Sequence, residues 1–195
     1  LEDVYEPGED SYLLMRHVER LVWGRVLDVG TGCGIQAIAA ASNPDVELVI
    51  AVDVNPKAVE EARRRAIRAG CIGRVNLVIG SLLEWLRGRV DWIIFNPPYL
   101  PMEGMISELS WSGGERGGEV IEKLLLEAGE YLSPEGAILL VYSTLTGLRE
   151  DAFRGYTVEV LEELPLFFER LFCVLLRPSR IEAGSQEDPK AWHGG

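Results

Sequence analysis

The chain has 195 residues, 47% of them hydrophobic and 26% charged, which suits one ordinary globular domain and excludes a disordered, collagenous or fibrous chain. Its 31 acidic against 19 basic residues leave a net charge of −12, which argues against a protein that works by general attraction to nucleic acid or to an acidic membrane. Three widely spaced cysteines (Cys33, Cys71, Cys173) and two histidines (His17, His193) fit neither a disulfide framework nor a zinc site. No apolar run nears the roughly 18 residues of a membrane helix. The N-terminus is acidic (Glu2, Asp3, Glu6, Glu9, Asp10) where a secretory signal would be basic, so a soluble, cytoplasmic chain is expected.

Short β-branched runs alternate with helical stretches from Arg25 onward. A strand at 25–30 precedes a helix-like stretch at 35–41; a second strand spans 46–53, and a helix is expected from Pro56 to Ala69. Pro56 suits a first helical turn and Gly70 a stop. Strands follow at 75–79 and 90–95, and their continuous apolar runs point to a parallel sheet buried on both faces. Asn96-Pro97-Pro98-Tyr99 cannot continue the fourth strand, because two prolines remove the ladder donors. A polar, glycine-rich loop from Leu100 to Gly118 leads to a helix at 119–131 and a strand at 137–142. The segments 157–163 and 170–176 are expected to pair antiparallel, their short connection leaving no room for a crossover helix. Residues 1–178 form one expected domain, and 179–195 a loose polar tail.

Two turns carry chemistry. Asp28-Val-Gly-Thr-Gly-Cys-Gly34 follows the first strand, with glycines at 30, 32 and 34 that let backbone approach a ligand. Ile35 stands where a dinucleotide fingerprint needs Gly or Ala. Asp53, at the end of the second strand, is placed to accept from both hydroxyls of a ribose, and Asp28 suits an ammonium group. Two carboxylates and no Lys or Arg in the turn favour a nucleoside carrying an amino acid over one carrying phosphates. In the second turn, the Asn96 side-chain oxygen and the Pro97 carbonyl can each accept one N–H of a planar –NH2, and Tyr99 can stack on it.

Asp28-Val-Gly-Thr-Gly-Cys-Gly and Val52-Asp-Val-Asn-Pro56 resemble the first two motifs of class I S-adenosylmethionine methyltransferases. The resemblance implies a Rossmann-like α/β fold, a mostly parallel seven-stranded sheet ending in an antiparallel strand pair, with S-adenosylmethionine at the strand C-termini. The candidate cofactor set is then Ser11, Asp28, Gly30, Gly32, Gly34 and Asp53, with Val54, Ser81, Leu82 and Asn96. Gly80-Ser81-Leu82 stands where the family often has an Asp, so Ser81 is the candidate adenine contact. Asn96, Pro97, Pro98 and Tyr99 form the candidate catalytic set.

Val4-Tyr-Glu-Pro-Gly-Glu-Asp-Ser-Tyr-Leu-Leu14 and Trp111-Ser-Gly-Gly-Glu-Arg-Gly-Gly118, added to these, resemble the HemK-type protein glutamine N5-methyltransferases, in particular their short archaeal and eukaryotic branch. That resemblance implies methylation of the glutamine in the Gly-Gly-Gln loop of a class I release factor, with a small zinc-binding activator as partner. The third strand, Val75-Asn-Leu-Val-Ile79, lies at a sheet edge in this fold and has no Pro or Lys to guard it, which makes it the expected activator site. The alternatives are adenine-N6 methylation of DNA or RNA, with Arg63, Arg64, Arg65, Arg68 and Arg74 as the one basic cluster, and a non-catalytic S-adenosylmethionine-binding scaffold. His17, on a helix face, and His193, in the tail, are not expected to act as bases.

Overall fold

Strands that are apolar on both faces need cover on both faces, and the chain supplies it. In the computed structural model, which describes residues 4–98 and 117–179, the elements run α1 (Glu9–Leu21), β1 (Gly24–Val29), α2 (Ile35–Ser42), β2 (Val46–Asp53), α3 (Pro56–Arg68), β3 (Val75–Ile79), β4 (Val90–Phe95), α4 (Glu119–Tyr131), β5 (Leu132–Ser143), β6 (Tyr156–Pro165) and β7 (Arg170–Pro178). The seven strands form one sheet in the order β3-β2-β1-β4-β5-β7-β6. Neighbours from β3 through β5 are parallel, and β7 runs antiparallel to both β5 and β6. The expected sheet, with its antiparallel pair, is the one observed.

One core lies between the sheet and α1 and α2, where Leu13, Leu14 and Val18 meet Val26, Val49 and Ile94. The other lies under α4, where Ile121 and Leu124 meet Leu27, Ile93 and Ile138. Residues 80–89 carry no helix, yet Leu82, Leu83 and Leu86 fill the second core from turns. Helix α3 starts as expected, with Pro56 in its first turn and the Asn55 side chain accepting from Lys57 N at 3.0 Å. It ends before Gly70, whose φ of +73° is the left-handed conformation that closes helices.

Two differences from expectation have physical causes. Strand β5 starts at Leu132 rather than at 137, because Val90 pairs with Leu132 and Trp92 with Ala137 across a bulge that absorbs the extra residues. Helix α1 is a whole element, where the sequence placed a motif and a helix face; its acidic first turn (Glu9, Asp10) and buried Leu13, Leu14, His17 and Val18 account for it. His17 is 7% exposed and its Nε2 lies 2.9 Å from Glu162, which ties α1 to β6. Tyr99, most of the loop at 100–118, His193 and the tail from 180 lie outside the described residues.

Candidate functional site

The order β2-β1-β4 places a topological switch at β1, because the chain leaves it to β2 on one side and reaches β4 on the other. Ligands in open α/β sheets bind at the strand C-termini beside such a point. The turn after β1 and the turn after β4 both lie there.

The first turn is held by bonds within the fold. Thr31 N donates to Val52 O at 2.9 Å and Gly34 N to Thr31 O at 2.8 Å. Its three glycines have different work to do. A Cβ at Gly34, where φ is +84°, would lie 2.9 Å from the Cβ of Ala62, so this glycine lets α2 approach α3. Gly30 and Gly32, with φ of +64° and +53°, face open space: added Cβ atoms would meet nothing nearer than Phe95 Cε2 at 4.0 Å and Gly30 O at 3.9 Å. Backbone of this kind can come close to a bound nucleoside.

Asp53 is half-buried at the end of β2. Its Oδ2 accepts from Gly32 N and its Oδ1 from Asn55 N, both at 2.9 Å. Asn55 is the cap of α3, so Asp53 is not spent on that duty. Each carboxylate oxygen has a second lone pair, so Asp53 keeps capacity for two ribose hydroxyls. Val54 follows it, also half-buried.

Asp28 is 1% exposed, and its Oδ2 accepts from Thr31 Oγ1 at 2.6 Å and from Ala37 N at 3.0 Å, holding the turn and the start of α2. Burial is the main force that lifts its pKa to about 7; the bonds from Thr31 and Ala37 oppose it, and the charge of Asp53 adds to it. A cationic ligand group nearby would favour its ionised form. Ser81 is half-buried just beyond β3, and Leu82 has a φ of +39°, unusual for a residue with a Cβ.

The second turn leaves the end of β4 through Asn96, half-buried, then Pro97, buried, and Pro98, exposed. Asn96 Nδ2 donates to Asp10 Oδ2 at 3.1 Å and to Ser11 Oγ at 3.3 Å. Among the described residues Asn96 Oδ1 is buried with no hydrogen-bond partner, and an acceptor in that state calls for a ligand N–H. Asp10, 5% exposed, in turn accepts from Tyr5 Oη at 2.9 Å and from Ser11 N at 2.6 Å. Burial and the Asp10 charge push the Tyr5 phenol up to about 12, which keeps it a donor. Asp10 has no place in the sequence-derived set, although Val4–Leu14 was singled out as a motif; its partner lies 86 residues away.

The structure thus brings Ser11, Asp28, the glycine turn, Asp53 and Asn96-Pro97 to one edge of the sheet. The arginine cluster is partly neutralised: Arg65 pairs with Glu61 and Glu6, Arg64 with Glu60 and Arg68 with Glu61, while Arg74 donates to the neutral carbonyls of residues 41, 43 and 46 and Arg63 is exposed. Among the described residues no group of His, Cys, Asp and Glu is arranged to hold a metal ion, and no helix is long and apolar enough to cross a membrane.

Residues 6–158 match the Methyltransferase small domain family. The chain is 34% identical to a protein named as a protein N5-glutamine methyltransferase of Methanocaldococcus jannaschii, over 88% of this chain and 90% of that one. It is 38% identical to the release factor glutamine methyltransferase of Deinococcus radiodurans, over 66% of this chain and 49% of that one. It is 36% identical to the ribosomal protein uL3 glutamine methyltransferase of Bradyrhizobium diazoefficiens, over 74% and 46%. In fold it is similar to the ribosomal protein L11 methylase of Lactobacillus delbrueckii subsp. bulgaricus, with a TM-score of 0.68 at 22% identity, over 88% of this chain and 80% of that one.

Proposed function

The chain belongs to the Methyltransferase small domain family and, within it, to the HemK-type protein glutamine N5-methyltransferases, and on that premise we propose that it methylates the glutamine of the Gly-Gly-Gln loop of a class I release factor. Bound S-adenosylmethionine supplies a methyl group on a sulfonium: the N–C bond forms as the S–C bond breaks, and the amide gives up one proton to water. The nitrogen of a carboxamide is a poor nucleophile because its lone pair is delocalised. What the chain contributes is therefore position. Asn96 Oδ1 and the Pro97 carbonyl take the two N–H groups, hold the nitrogen toward the methyl group and favour its pyramidal form. No oxyanion hole is needed, since the reaction disperses positive charge rather than building negative charge.

The single observation that carries this reading is the buried Asn96 Oδ1, unpartnered among the described residues, just past the end of β4 and one residue before Pro97. The match along most of the length of a protein named for N5-glutamine methylation supports glutamine over adenine, and the pairing of Arg64, Arg65 and Arg68 with glutamates weakens the attraction this face would have for phosphates. In the proposal a small zinc-binding activator lies along β3. That strand is a sheet edge, and Ile79 on it is 61% exposed while Ile67 on the adjoining α3 is 47% exposed.

The test is transfer of labelled methyl from S-adenosylmethionine to a Gly-Gly-Gln release factor and to duplex DNA, each with and without the activator. Label in the release factor alone, raised by the activator and lowered by Ile79→Lys, is the expected result. Label in DNA, or a fully active chain that sediments as a monomer beside the activator, overturns the substrate or the partner respectively.

A further inference from the structure

A carboxamide has an accepting end and a donating end of nearly equal shape, so Asn96 alone does not determine which end meets the substrate. Only one orientation serves an –NH2 acceptor. Turned over, Asn96 would set its own N–H against the N–H of the incoming amide.

Resting on the reading of Asn96 above, we propose that Asp10 is a positioning residue that fixes this orientation. Both groups at Asn96 Nδ2 act as acceptors. Asp10 Oδ2 lies at 3.1 Å, and a carboxylate only accepts. Ser11 Oγ lies at 3.3 Å and gives its own proton to Asp10 Oδ1, also at 3.3 Å. A reversed Asn96 would therefore place its oxygen against two oxygens. Asp10 is itself held from the other side, since its Oδ1 accepts from Tyr5 Oη and Ser11 N, and it is 5% exposed, so water does not compete. Donation into a carboxylate also moves electron density toward Asn96 Oδ1 and makes it a better acceptor.

The alternative is that Asp10 only neutralises the N-terminus of α1. That duty uses Oδ1 on Ser11 N and leaves the contact from Oδ2 to Asn96 without a purpose. The two accounts make opposite statements about Asp10→Asn. The new amide must keep its oxygen on Tyr5 Oη and Ser11 N, which points its NH2 at Asn96 and drives Asn96 to turn over. If Asp10 positions Asn96, Asp10→Asn, though nearly isosteric, is therefore worse than Asp10→Ala. If Asp10 only serves the helix, it is milder.

The experiment uses the full chain with S-adenosylmethionine and an intact Gly-Gly-Gln release factor, with activator present. The expected results are a kcat about 100-fold down in Asp10→Asn, about 10-fold down in Asp10→Ala and a few-fold down in Tyr5→Phe, with cofactor Kd within about twofold in all three. In parallel, the Asn96 side-chain NH2 pair is followed by NMR, assigned by its loss in Asn96→Ala. In wild type one of its protons is shifted downfield by the carboxylate, and Asp10→Ala abolishes that shift. Folded Asp10 variants with kcat within about threefold of wild type, an Asp10→Asn milder than Asp10→Ala, or an NH2 pair that ignores Asp10→Ala, overturn the proposal. A wild-type chain that methylates no release factor defeats the substrate assignment instead, and the NMR comparison still decides on Asp10.

Discussion

The turn after β1 and the turn after β4 leave neighbouring strands at the same edge of the sheet, and they meet their hydrogen bonds in different ways. The first is closed on itself: Gly32 N, Thr31 N, Thr31 Oγ1 and Ala37 N all find acceptors within the β1–α2–β2 unit. Among the described residues, the second has two prolines with no N–H to offer, an oxygen with no partner, and side-chain bonds only to α1, from Asn96 Nδ2. In the proposed roles, the cofactor cradle is thus pre-organised by local chain, whereas the acceptor clamp depends on a distant helix and on its substrate. Stability and chemistry should separate along that line.

Breaking the acceptor turn gives the largest effect on activity and almost none on the fold. Asn96→Ala should lower the rate of methyl transfer by at least about 100-fold. Its melting temperature should stay near that of the wild type, because the substitution also removes an unpaired buried oxygen. Single-turnover kinetics and calorimetry on one preparation check both halves.

Breaking the cradle costs stability first. Gly34→Ala adds a Cβ 2.9 Å from that of Ala62 at a φ of +84°, and crowding with left-handed strain together should cost about 2 to 4 kcal/mol, read from the urea midpoint. Gly30→Ala, at a φ of +64°, carries left-handed strain but meets only Phe95 Cε2 at 4.0 Å, so it should destabilise less than Gly34→Ala, by about 1 to 2 kcal/mol, and also lose cofactor affinity. Equal destabilisation by the two would contradict the different work assigned to these glycines.

Asp53→Ala sharpens the comparison at the cofactor itself. It removes two charge-assisted bonds worth at the low end roughly 1.5 kcal/mol each, so titration calorimetry should show S-adenosylmethionine affinity falling by about two orders of magnitude or more. Unchanged affinity would remove Asp53 from the site.

The smallest effect is a dependence on pH. Asp28 has a folded pKa of about 7 against an ordinary 3.8, so the folded state holds its proton more tightly than the unfolded one. That contribution is full below about pH 4 and is lost as pH rises toward 7 and beyond. Asp28→Asn should flatten the decline, by on the order of 1 to 2 kcal/mol, since relaxation around the ionised carboxylate returns part of the burial cost. Chemical denaturation of the cofactor-free chain at pH 5 and pH 8 measures it. An identical slope in the two proteins would mean that Asp28 ionises in the fold at little cost.

Much of the sheet is legible in the sequence because its strands are buried on both faces, so runs such as Val90–Phe95 cannot be read as amphipathic helix. The start of β5 is not legible, since Leu132 to Gly136 are admitted to the sheet by a bulge opposite Val90–Trp92. In the candidate site, Asp28, Asp53 and Asn96 are legible because each lies at or beside the C-terminal end of a strand. Asp10 is not: it sits in a helix turn where an acidic residue is already welcome, and only the packing of α1 brings it to Asn96. The neutralisation of the arginines is partly visible beforehand, in the four-residue spacing of Glu60 from Arg64 and of Glu61 from Arg65.

The central claim, that Asn96 presents a buried oxygen to a glutamine amide, is tested most directly by locating the methyl group. The chain is incubated with S-adenosylmethionine, the proposed activator and a class I release factor, and the product is fragmented by mass spectrometry, in parallel with Asn96→Ala. One methyl on the side-chain nitrogen of the Gly-Gly-Gln glutamine, absent with Asn96→Ala, is the predicted result. A methyl on a lysine or arginine, or glutamine methylation that survives Asn96→Ala, would contradict it.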